Sequence, residues 1–151
     1  MSTTSYYYHF VISTYRRRKT INEANENALY TFIWKILQQH NCVLFRIGGI
    51  EDHVHILLST KDPLNPSDLV RDFKRQSSHW MKRCWQFPEF EGWSRGYFGA
   101  TRSKWDIPSQ SEYIKTQKLH HKGRNTCDEL HDMYLEEGYE WTKYHEEGVE
   151  L

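Results

Sequence analysis

The chain has 151 residues, 38% apolar and 26% charged, which suits one domain with its own core and excludes a disordered chain. No apolar run approaches the ~20 residues that a bilayer demands, and three scattered cysteines (Cys42, Cys84, Cys127) exclude a disulfide framework. The formal net charge of zero hides an asymmetry: residues 1–127 carry 19 Lys or Arg against 11 Asp or Glu, whereas 128–151 carry nine acidic residues and one basic, Lys143. A basic body suits a polyanionic partner. The N-terminus lacks the basic start and cleavage site of a signal peptide, and free thiols suit a reducing compartment, so a cytoplasmic protein is expected.

Tyr6 to Thr14 (YYYHFVIST) reads as a first strand, rich in aromatic and β-branched residues. It runs into Arg16, Arg17, Arg18 and Lys19, four basic residues suited to gripping phosphates or simply to a solvated loop. From about Glu23 to His40 the apolar positions recur at helical spacing, with Thr20 or Asn22 as cap and Asn41 as stop. Cys42 to Ile47 reads as a second strand, Gly48–Gly49 as a turn or bulge, and His53 to Ser59 as a third strand. Lys61 to Pro66 breaks the chain, and Asn65 or Ser67 can cap a helix from about Asp68 to Trp85. Lys74 and Arg75 belong to that helix's basic outer face, which can meet a phosphate backbone. Trp93 to Thr101 reads as a fourth strand, and a third helix runs from about residue 109 to 121, ahead of Gly123. An acidic helix is expected over Asp128–Glu137.

The order strand, helix, strand, strand, helix, strand predicts an α+β, ferredoxin-like βαββαβ domain: an antiparallel sheet with two helices on one face. The whole chain reads as one domain, with a core over about 5–101, a helix carrying Tyr113 over about 109–122, and an acidic segment over 128–151. Strand residues two apart share a face, so His53 and His55 stand together while Val54, Ile56 and Leu58 point into the core. Helix residues four apart also share a face, so Tyr113 and Gln117 project together. If the third helix crosses the open face of the sheet, the two pairs meet. Two imidazoles and an amide oxygen can then hold a divalent cation and leave positions for a phosphodiester, with Tyr113 as nucleophile. Neither pair is specific alone: most Tyr residues pack, and His120 and His121 read as a helix-end pair facing the dipole.

The motifs in combination resemble the single-tyrosine HUH transposases of the insertion-sequence 200/605 type (the IS200-like family). The resemblance rests on HFVISTYRRRKT, GGIEDHVHILLS, LVRDFKRQSSHWM, GWSRGYFGATRS and YIKTQKLHHK, in that order. It implies metal ligation by His53, His55 and Gln117 with Mg²⁺ or Mn²⁺, and attack by Tyr113 to give a 5′-phosphotyrosine intermediate. It also implies single-stranded DNA with hairpin ends as partner, a homodimer whose tyrosine helix can complete the neighbour's site, and no nucleotide cofactor. Two other functions compete: a non-catalytic nucleic-acid-binding module of the same fold, and a metal-dependent phosphoesterase that activates water.

Overall fold

The computed structural model describes residues 1–148, so the last three residues of the expected acidic segment lie outside the described residues. Four strands form one antiparallel sheet: β1 (Tyr6–Ser13), β2 (Val43–Ile50), β3 (His53–Thr60) and β4 (Phe98–Arg102), in the spatial order β2-β3-β1-β4. Helices α1 (Glu26–Gln39) and α2 (Pro66–Arg83) complete the βαββαβ order expected from the sequence. Alternation does the sorting. Phe10 and Ile12 of β1 and Val54, Ile56 and Leu58 of β3 join Leu29, Ile33, Ile36, Val70 and Phe73 of the helices in the main core. The intervening His9, His53 and His55 therefore point to the other face, and all three are fully buried there.

Elements C-terminal to β4 cover that second face. They are α3 (Ile107–Lys115), a four-residue turn of helix α4 (Gln117–His120) and α5 (Thr126–Glu136), against which packs a short α6 (Lys143–Glu147) that sequence periodicity did not reveal. Leu130 and Met133 of α5 close a smaller core with Val11, Phe98 and Ala100. Gly48 lies inside β2 rather than in a turn, and a Cβ there would come 2.8 Å from the Ile114 carbonyl oxygen of α3. Only a residue without a side chain lets the tyrosine helix lie so close to the sheet. The bulge of this hairpin falls instead between Leu44 and Arg46.

Helix ends follow their caps. Asn65 accepts from the amides of Ser67 and Asp68 ahead of Pro66. Asn41, at φ 58°, takes the left-handed conformation that ends α1. The fourth strand is shorter than expected. Trp93 makes only an isolated bridge to Thr14, and the carbonyls of Ser94, Arg95 and Gly96 all accept from Lys74 Nζ, at 2.6–2.8 Å. A segment whose carbonyls converge on one ammonium cannot present them to a neighbouring strand.

Candidate active site

The site is built from β3, the α3–α4 junction and α5. The rigid strand fixes His53 and His55, whose rings lie 5.0 Å apart between centroids, and α3 sets Tyr113 edge-on over His55, with centroids 5.8 Å apart. The helix breaks at Thr116, yet Gln117 still follows Tyr113 onto the same face. Gln117 Oε1 is 2.9 Å from His53 Nε2, so the two pairs singled out in the sequence do meet, within one chain.

At their centre stands a residue that no spacing in the sequence singles out. Glu129 of α5 is 1% exposed, and its Oε1 lies 3.0 Å from His55 Nε2 and 3.2 Å from His53 Nε2. Its Oε2 accepts from the Tyr113 phenol at 2.5 Å and from Gln117 Nε2 at 2.9 Å, with His121 Nε2 at 3.2 Å. His121, expected to face the helix dipole, is thereby drawn into the cluster. The acidic segment is therefore not merely a solvated tail. The nearest hint in the sequence was its clustered negative charge, but 76 residues separate Glu129 from His53 and no local spacing connects them.

The outer nitrogens of both strand histidines are also held. His53 Nδ1 donates to Asp52 Oδ1 at 2.8 Å, and Thr126 Oγ1 donates to the same carboxylate oxygen at 2.7 Å. His55 Nδ1 is 2.9 Å from His9 Nε2. Charge follows from these contacts. Burial opposes a charge on His53, but hydrogen bonds to Asp52 and Glu129 outweigh it and lift the pKa to about 9. For Glu129, burial favours the protonated form, yet hydrogen bonds from His121, His53 and His55 drive it strongly down, to a carboxylate. Burial lowers His55 and, with His55 and Arg102 nearby, lowers His9 further, so both are neutral at pH 7. Burial and then the Glu129 carboxylate push the Tyr113 phenol well up.

This donor set can hold a metal ion. His53, His55 and Glu129 offer ligand atoms within 4.8 Å of one another, and Gln117 Oε1 adds a fourth. Adjacent ligands of an octahedral ion with bonds of about 2.1 Å lie about 3 Å apart. The observed separations of 2.9, 3.0 and 3.2 Å match that edge.

The basic residues expected on DNA have diverse surroundings. Arg16 and Arg17 both adopt left-handed backbone, at φ 54° and 53°, in a turn after β1. Arg17 donates to the carbonyl of His145 and Arg18 pairs with Glu91. Lys19 lines a cleft with Asp52, His121, Arg124 and Thr126, at the edge of the histidine cluster. Arg75 pairs with Asp72 at 2.6 Å, and Lys74 holds the three carbonyls before β4. Trp93 packs against Phe73 and Phe90 and donates to Ser77 Oγ, a structural role.

Comparison with known proteins agrees with this architecture. No curated protein matches the chain. A candidate transposase from Deinococcus radiodurans R1 shares 22% identity and a TM-score of 0.58, over 78% of this chain and 92% of the other. A REP-associated tyrosine transposase, solved bound to a REP hairpin, shares 16% identity and a TM-score of 0.62, over 78% of this chain and 68% of the other. Both share the fold. Residues 2–117 match the family described as "Transposase IS200 like", a span that takes in His53, His55, Tyr113 and Gln117 and stops short of Glu129. The chain belongs to the family of IS200-like transposases.

Proposed function

We propose that this transposase cleaves and rejoins single-stranded DNA with hairpin ends through Tyr113, assisted by Mg²⁺ or Mn²⁺ on His53, His55, Gln117 and Glu129. The convergence of Tyr113 with those four donors in one buried cluster carries the reading. A bound divalent cation polarises the scissile phosphate and offsets the Glu129 charge. His53, with Nδ1 fixed on Asp52, and His55 hold their Nε2 atoms toward one point. Gln117 uses both ends of its amide, the oxygen toward that point and the nitrogen on Glu129. Tyr113 Oη releases its proton to water as it forms a bond to phosphorus, the P–O3′ bond breaks, and the 3′-oxygen takes up a proton from water. The phosphotyrosine keeps the energy of the broken bond, so a 3′-hydroxyl of another end can reverse the step without nucleotide or water.

Lys19, with Arg124 in the same cleft, suits the flanking phosphates. The homodimer belongs to the same proposal. Because Tyr113 and the histidines already meet within one chain, we assign the site in cis.

The test is a denaturing gel of the protein with labelled single-stranded DNA from the flanks of its own gene, with and without Mn²⁺. We expect a metal-dependent covalent band that Tyr113→Phe and His53→Ala both abolish. Cleavage that survives Tyr113→Phe would point to a water-activating phosphoesterase. Tight binding without any adduct would point to a binding module.

A further inference from the structure

His9 is fully buried on β1. On β3 its cross-strand partner is Leu57, which sets it diagonal to His55, and its Nε2 lies 2.9 Å from His55 Nδ1, with the two rings stacked at 5.1 Å between centroids. Asp52 stands in the equivalent place behind His53, at 2.8 Å from its Nδ1. Each strand histidine thus has its far nitrogen held by a buried group, one by a carboxylate and the other by an imidazole.

The difference matters for which proton His55 carries. Asp52 can only accept, so it always fixes Nδ1–H on His53. An imidazole can donate or accept. In the metal-free arrangement His55 Nε2 donates to Glu129 at 3.0 Å, so its Nδ1 has a free lone pair and accepts from His9 Nε2. To ligate a metal through Nε2, His55 must carry its proton on Nδ1, and His9 must then accept it. The other hydrogen-bonding neighbour of His9 among the described residues is loose: Arg102 Nη2 lies 3.5 Å from His9 Nδ1, too long to lock His9 in one tautomer.

We propose that His9 is a positioning residue for the metal site: it accepts the Nδ1 proton of His55 and so sets the tautomer and ring orientation in which His55 Nε2 is a ligand. This rests on the metal reading given above and adds a residue from β1 to it. Removing such a partner of a ligating histidine weakens metal binding by about 10–100-fold.

The experiment is Mn²⁺ titration by calorimetry on the full chain, at fixed pH, for wild type, His9→Leu, His9→Gln and His55→Ala, with thermal melts of each in EDTA. His9→Leu removes the acceptor and keeps an apolar filling. His9→Gln puts an amide near the position of Nε2. We expect His9→Leu to lose about 10–100-fold in Mn²⁺ affinity, and His9→Gln to recover most of it. Unchanged affinity in His9→Leu overturns the role of His9 while leaving the metal site standing. Equal losses in both variants overturn it too, since packing rather than hydrogen bonding would then be at fault. Failure of wild type to take up Mn²⁺, or uptake that survives His55→Ala, overturns the metal reading and the role of His9 together.

Discussion

Replacing Glu129 by Gln should destabilise the metal-free protein and show which charge it serves. The perturbation keeps size and shape but removes the negative charge on which His53, His55, His121 and Tyr113 converge. His53, lifted from 6.5 to about 9, is the measure of that charge. One pKa unit corresponds to about 1.4 kcal/mol. At pH 7 His53 therefore contributes roughly 2–3 kcal/mol, shared between Asp52 and Glu129. An amide at position 129 also turns a donor toward another donor, which leaves a buried group unsatisfied at a cost of about 1–3 kcal/mol. Together these give about 3 kcal/mol, at the lower end of what breaking a buried ion pair costs. For a chain of this size that is a fall of about 6–12 °C in melting temperature.

The sign with pH follows from the raised pKa. Stability from the charged imidazole is fully present below 6.5 and is lost as pH rises through about 9. Melts in EDTA at a series of pH values should therefore show the wild type losing stability between these limits, and the gap to Glu129→Gln narrowing. A gap below about 2 °C at pH 7, or one that does not narrow by pH 10, would refute the placement of Glu129 among the histidines.

Gly48→Ala should cost about 1–3 kcal/mol by forcing a Cβ against the Ile114 carbonyl. Because that pushes α3 off the sheet, adduct formation should fall further than melting temperature does, as a gel and a melt on one preparation will show. Lys74→Met should lower stability by about 2 kcal/mol, since three carbonyls lose their shared donor, while the salt dependence of DNA binding stays unchanged. Lys19→Ala should do the reverse: binding measured over a salt series should lose about one unit of slope, with little change in the melt.

The parts of this protein that depend on local pattern were legible in the sequence. Alternation in β3 fixed which residues face the helices, because side chains on a strand have no other choice of side. Asn65 with Pro66, and Asn41, marked helix ends because only certain residues satisfy or tolerate those backbone positions. The spacing of Tyr113 and Gln117 survived even a break in the helix at Thr116. The fourth strand was overextended, since β propensity between Trp93 and Tyr97 says nothing of an ammonium that captures the carbonyls. What tertiary structure alone decided was the occupancy of the site's centre. Glu129 and His9 come from separate elements, and each is polar, buried and held by strand histidines far away in sequence or across the sheet, while His121 joins Glu129 from the end of α4. Periodicity records which way a residue faces; it does not record what it meets when the chain closes over it.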